Sequence, residues 1–358
     1  MLKNVYDVIV VGAGPAGCKT AELAARAGLK VLLLEEHEEI GKPVQCTGIV
    51  SHRIIPLSGL GRKIVVNTVY KARFYAKNSF LELTSPKPVY VIDRHKLDKL
   101  LAEKAAKVGV EIITNSRFIC FEKDELLTVK TSSGVYKAKM LVGADGPNST
   151  VARAAGIEQP KDYLVGYQET VNADFSDNIV ELWFGRDIAP DFFAWVVPEN
   201  KEYARVGLAA KRSAVEYFKA FMKKRFSLAY KKKDVLAGII RYGIIKTSVA
   251  DNVLLVGDAA SQVKPYSGGG IIYSLIAARY AAQACISAVE SNKFDKNFLE
   301  EVYDKRWRKH LLPGIKRGLF LNRLIHAMPD SFFAISLNLL KPFTPLLNKL
   351  DMDLLFTQ

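Results

Sequence analysis

Six residues near the start of the chain, Gly12-Ala13-Gly14-Pro15-Ala16-Gly17, constrain its fold more than any other feature. They follow an apolar run from Tyr6 to Val11 that reads as a buried parallel strand, and they open an alanine-rich segment, 15–28, that reads as a helix. A second apolar strand at 30–35 completes a βαβ unit and ends on Glu35, about 20 residues beyond the glycines. In that setting Gly12 permits a tight turn, Gly14 lets backbone approach a pyrophosphate and Gly17 allows close helix packing. The helix N-terminus, with Pro15 and Ala16 in its first turn, offers amide donors to phosphate, and Glu35 can accept from a ribose diol.

A lone glycine pattern does not separate NAD from FAD. The distinction comes some 240 residues later, where the strand-like run Val253 to Val256 ends in Gly257-Asp258 and leads to Pro265-Tyr266-Ser267-Gly268-Gly269-Gly270. A strand ending in Gly-Asp sets a carboxylate at the carboxyl edge of the sheet, where ligands of such folds bind. Asp258 can accept from a ribityl hydroxyl, and the glycines would open a helix (269–290) whose amides favour negative charge on a flavin or its pyrophosphate.

With Asp145-Gly146 between them, these motifs resemble the flavoprotein hydroxylase superfamily over most of the chain. The resemblance implies an α/β fold. Its Rossmann-like FAD-binding domain would be of the glutathione reductase and p-hydroxybenzoate hydroxylase type, joined by an antiparallel-sheet substrate domain and C-terminal helices. The expected division is 1–75, 88–160 and 246–290 for the FAD domain, 76–87 and 161–245 for the substrate domain, and 291–358 for helices broken by Pro313, Pro329, Pro342 and Pro345. Asp93-Arg94-His95-Lys96-Leu97-Asp98 resembles the superfamily's D-R-x-x-L-D segment, which implies that Arg94 reaches the FAD. Glu36, Thr47, Gly48, Ile119 and Ile271 complete the expected cofactor set.

Two further stretches narrow the resemblance to the geranylgeranyl reductase family. Glu39 to Gly48 is similar to that family's E-I-G-x-P-V-x-C-G loop, with Thr47 where glycine is common. The resemblance implies that Cys46 stands near the flavin ring as an active-site thiol. Pro190 to Pro198 is similar to the P-x-x-Y-x-W-x-F-P motif of prenyl reductases, with Phe193 for the tyrosine and Val197 for the second phenylalanine. Strand alternation sets Phe193, Trp195 and Val197 on one face, as an aromatic wall for an isoprenoid chain or as sheet core.

Charge and cysteine usage bound the rest. Lys and Arg number 51 against 37 Asp and Glu, a net charge of +14 that suits phosphate-bearing partners. No nucleic-acid module is recognisable, so nucleic acid is not an expected partner. Cys18, Cys46, Cys120 and Cys285 form no CxxC pair, against both a disulfide framework and a zinc site, and suit a reducing cytoplasm. The first residues lack the form of a signal peptide, and no run of about 18 uninterrupted apolar residues occurs. Residues 211–233 carry nine Lys or Arg against Glu216 and read as a basic amphipathic helix. Basic and apolar residues mix again from Arg306 to Arg323. Both suit peripheral contact with a membrane's cytoplasmic face, or a solvated face over the core.

The resemblance implies an FAD-dependent reductase that hydrogenates C=C bonds of geranylgeranyl chains in isoprenoid glycerophospholipids. Electrons would come from NAD(P)H or ferredoxin. The alternatives are an FAD-dependent aromatic monooxygenase and a flavin-bearing lipid carrier without catalysis.

Overall fold

A computed structural model describes residues 5–227 and 230–353. The signal-peptide reading of Met1 to Asn4, residues 228–229 of the basic segment and residues 354–358 of the C-terminal region lie outside the described residues.

The strand Val5–Val11 lies at the centre of the first sheet, parallel to Val31–Leu34 on one side and to Val135–Gly143 on the other. The parallel order extends outward to Glu111–Ile113 and to Val253–Leu255, so residues far apart in sequence end at one sheet edge. Val8 and Val10 pack into one core and Ile9 and Val11 into another, which is why this strand is an unbroken apolar run. On the first face lie the helices Pro15–Arg26, Arg94–Lys107 and Ile271–Ser291. The second face carries the paired strands Phe118–Lys123 and Leu127–Thr131 with the short helix Thr150–Ala154. Asp93 caps its helix by accepting from the Lys96 amide at 2.9 Å, as its position before the helical run leads one to expect.

The second sheet has eight strands, in the order Lys231–Arg241, Tyr163–Asn172, Tyr203–Ala210, Ala194–Pro198, Ile179–Phe184, Val65–Ala76, Ser79–Ile92, Ile49–Ser51. It is antiparallel except where Ile179–Phe184 runs parallel to Val65–Ala76. Sheet membership departs from the expected division. The early crossing is wider than 76–87, because strands beginning at Ile49 and Val65 belong wholly to the second sheet.

The basic segment 211–233 is not one helix. Helix Ala214–Phe226 ends where Ser227 takes a φ of 57°, and Lys231 to Lys233 begin an edge strand. The apolar side of this helix, Phe218, Phe221, Met222 and Phe226, is buried against the sheet, and its solvent side is mostly charged apart from the exposed Val215 and Ala220. Pro313 also departs from expectation: it lies inside the continuous helix Lys305–Ala327. Pro329, Pro342 and Pro345 do fall at helix starts, where the missing amide costs little. Helix Ile271–Ser291 is long and apolar enough to cross a membrane by length and composition, but it is a core helix packed on the first sheet.

Candidate active site

The carboxyl edge of the first sheet opens into a cleft of about 740 Å³, walled on its far side by the second sheet. That volume is in the range of small-molecule sites, roughly 300–1,000 Å³. Gly12, Gly14, Pro15, Ala16, Glu35, Glu36, Cys46, Arg94, Asp145, Gly146, Asp258, Gly269, Gly270 and Ile271 all line it. Residues from both ends of the chain thus meet at one site.

The three motif glycines do different work. Gly12 has φ 102°, and a Cβ there would come within 2.4 Å of the Ala144 carbonyl oxygen. A Cβ on Gly17 would lie 1.9 Å from the Gly12 carbonyl oxygen, which locks helix to turn. A Cβ on Gly14 would meet nothing within 4 Å. It would project into open cleft, in front of a helix N-terminus that has no side-chain cap, and free amides facing open space form an anion cradle. Glu35 closes this end by accepting from the Ala13 amide at 2.9 Å and from the His37 amide at 3.1 Å.

At the other end, helix Ile271–Ser291 starts on Gly270, also with no side-chain cap, and a Cβ on Gly270 would strike Asp258 Oδ1 at 2.5 Å. The two motifs dock directly: a Cβ on Gly257, at φ 72°, would lie 2.8 Å from the Ala16 Cβ. Burial raises the Asp258 pKa above the ordinary aspartate value, while Arg94 pulls the other way. Arg94 is held by two hydrogen bonds to Asp98, at 2.7 and 3.0 Å, and lies beside the Cys46 thiol. Burial works against its charge, but Asp98 and Cys46 outweigh that and keep its pKa above the ordinary arginine value. Its Nε is buried without a hydrogen-bond partner, a donor free for a ligand acceptor. An open phosphate cradle, a cleft-lining Glu35 carboxylate that also pairs with the His37 ring at 2.7 Å, a half-buried Asp258 and an unpartnered Arg94 donor together fit FAD.

Some expected residues stand elsewhere. Ile119 does not line the cleft. It is 54% exposed on the outer face of its strand, and Arg117 and the buried Phe118 take the lining positions. Asp145 lines the cleft, yet its carboxylate is spent on the helix Thr150–Ala154, accepting from Ser149 Oγ at 2.6 Å and from the Thr150 and Val151 amides. Thr47 and Gly48 lie one layer behind the wall. The Thr47 carbonyl accepts from Arg205 Nη1 at 2.6 Å, and Gly48, φ 77°, passes too close to Arg205 and Ile92 for a side chain. The Cys46 sulfur accepts from the Gly48 amide at 3.3 Å.

Phe193, Trp195 and Val197 do share one face, while Ala194 and Val196 turn to the opposite core. That face is packed rather than open: it lies against Leu319, Ile325 and Phe333 of the C-terminal helices. Trp195 Nε1 donates to Gln168 Oε1 at 2.9 Å, and Thr47 Oγ1 donates to the same oxygen at 2.7 Å, so the aromatic face is tied to the Cys46 loop.

Two features had no sequence signal of their own. Gln168 is an ordinary strand residue until its partners are known. Lys264, beside the glycine turn, lines the cleft and pairs at 2.8 Å with Asp353, which is fully buried and also accepts from Ser51 and Arg53. Its neighbourhood to Gly268–Gly270 was the available hint. Among the described residues, no group of three or more His, Cys, Asp or Glu could hold a metal ion.

The family model for an FAD binding domain matches residues 5–301. The chain is 35% identical over 347 residues to digeranylgeranylglycerophospholipid reductase 2 of Methanothermobacter thermautotrophicus, covering 91% of this chain and 89% of that protein. It is 34% identical to digeranylgeranylglycerophospholipid reductase of Methanosarcina acetivorans, over 92% of this chain and 87% of the relative. Among solved structures, a geranylgeranyl bacteriochlorophyll reductase-like protein of Thermoplasma acidophilum superposes with a TM-score of 0.88 at 26% identity, covering 94% of this chain and 92% of the other. By cleft and by kinship, the chain is an FAD-binding oxidoreductase and belongs to the digeranylgeranylglycerophospholipid reductase family.

Proposed function

We propose that this protein saturates isolated C=C bonds in the geranylgeranyl chains of an isoprenoid glycerophospholipid, one hydride and one proton per bond. The observation that carries the reading is the Thr47–Gln168–Trp195 link, which couples an apolar aromatic face to the loop that holds Cys46 at the cleft wall. The curated relatives named for this activity support it.

Glu35 and the amides ahead of Pro15 would hold the ribose and pyrophosphate of FAD, and Arg94, Asp258 and the Gly269–Ile271 turn its flavin half. Bound and reduced, FAD supplies the hydride. An isolated alkene has no carbonyl to take up charge, so the chain's own contribution is positioning and exclusion of water. Phe193, Trp195 and Val197, packed beneath the C-terminal helices, are the apolar backing of the site, and Cys46 is the residue we place against the reacting bond. Electrons come from a nicotinamide nucleotide or a ferredoxin, and the lipid substrate sets the site of action at the cytoplasmic face of a membrane.

Enzyme reduced by dithionite under argon and mixed with geranylgeranyl glycerophospholipid should return to the oxidised flavin spectrum without oxygen. A monooxygenase or a carrier would stay reduced for as long as oxygen is excluded. Cys46→Ala should keep FAD but lose most of the lipid-driven reoxidation.

A further inference from the structure

Among the described residues, the C-terminal helices carry an apolar surface that nothing covers. Phe332, Ile335, Leu339, Phe343, Leu346 and Leu350 recur every three or four residues through Asp330–Leu340 and the short turns after it, and each is between 56% and 68% exposed. Helical spacing sets them on one outward stripe. The inward side of the same helix is fully used: Ala334 and Leu337 are buried against strands Val65–Ala76 and Ser79–Ile92, and Asn338 bonds to Ser79 Oγ at 2.9 Å. Phe320 and Leu324, one turn apart on the preceding helix Lys305–Ala327, are a second exposed apolar pair, at 65% and 42%. A stripe of exposed apolar side chains of this kind marks an interaction site.

Charge decides what covers it. Residues 305–350 contain nine Lys or Arg and one acidic residue, Asp330. Lys341 and Lys349 are exposed within the same segment, and Lys316 and Arg323 on the preceding helix. A second copy would bring like charges together with almost no carboxylates to pair across the seam, unlike a coiled coil. An anionic bilayer matches both properties, apolar side chains entering the acyl boundary and basic ones meeting headgroups.

The stripe also leads inward. Phe333, its half-buried neighbour, contacts Phe184 at 5.3 Å between ring centroids. Phe184 contacts Phe193 at 5.4 Å, and Phe193 contacts Trp195 at 6.2 Å. A continuous apolar column therefore joins the exposed stripe to the residue bonded to Gln168.

We propose that this stripe is a monolayer-inserting face, docking on anionic phospholipid with the packed aromatic column behind it. That the lipid substrate comes from the same bilayer rests on the lipid reductase reading; the docking does not. FAD-loaded full-length protein should sediment with phosphatidylglycerol-containing vesicles and much less with pure phosphatidylcholine. The triple variant Ile335→Ser, Leu339→Ser, Leu346→Ser, all exposed positions, should lose at least tenfold in vesicle affinity. It should keep FAD content, thermal midpoint and turnover of detergent-dispersed substrate. Leu339→Trp should shift its emission to the blue on anionic vesicles. Unchanged vesicle binding by the triple variant overturns the proposal. So does a wild-type dimer that the triple variant splits while neither form binds vesicles. Vesicle binding without lipid reduction would leave the docking face standing and remove the reductase reading.

Discussion

Thr47 donates its hydroxyl to the side-chain oxygen of Gln168, 121 residues away in sequence, at 2.7 Å. Trp195 Nε1, which can only donate, bonds to that same oxygen, so the orientation of the amide is fixed. Where glycine is common in the loop, threonine here gains a partner that anchors the loop to the sheet.

Gln168→Leu would strand the buried Trp195 donor and take a partner from the half-buried Thr47 hydroxyl, at about 1–3 kcal/mol. Thr47→Val removes one donor and leaves the other bond intact, so about 1 kcal/mol is expected. Urea unfolding measures both. If the link also positions the wall, Gln168→Leu should raise KM for lipid while FAD stays bound.

The glycine motif separates folding from cofactor binding. Gly14→Val should fold with an unchanged thermal midpoint as apoprotein and bind no FAD, because its side chain fills only open cleft. Gly12→Val should instead fail to fold, since it meets the Ala144 carbonyl and must hold a φ of 102°. Circular dichroism with flavin released on denaturation distinguishes the two. Gly14→Val retaining FAD would refute the assigned cradle.

Lys264 and Asp353 bind the C-terminal segment to the cleft wall. Burial pushes the Asp353 carboxyl up, but Lys264, Ser51 and Arg53 outweigh it and hold its pKa below the ordinary value of 3.8. A depressed folded pKa stabilises at pH above the ordinary aspartate value, and that contribution is lost as pH falls below it. Proteolysis of the C-terminus should therefore quicken below about pH 4. Asp353→Asn should show the same sensitivity at neutral pH, where a buried lysine left unpaired costs about 3–5 kcal/mol.

What the sequence disclosed was mostly local backbone demand. Gly12, Gly17 and Gly257 announce themselves because no other residue fits a positive φ or so close an approach. The Cys46 and Arg94 neighbourhood was legible through family resemblance alone, since nothing local couples residues in a loop and a distant helix. Ile119 missed the cleft by one position, and in a strand one position reverses the face. The segment 211–233 misled because lysine-rich composition is compatible with helix and edge strand alike. Gln168 and the Lys264–Asp353 pair were silent because their partners are 27 to 121 residues away and carry no pattern.

The most direct test is the mass of the lipid. FAD-loaded enzyme, reduced anaerobically and given a geranylgeranyl glycerophospholipid, should yield product heavier by about two mass units for each bond saturated, the sum of one hydride and one proton. Lipid recovered at its original mass from flavin-loaded, fully reduced enzyme, across prenyl glycerolipids and prenyl diphosphates, would contradict the account.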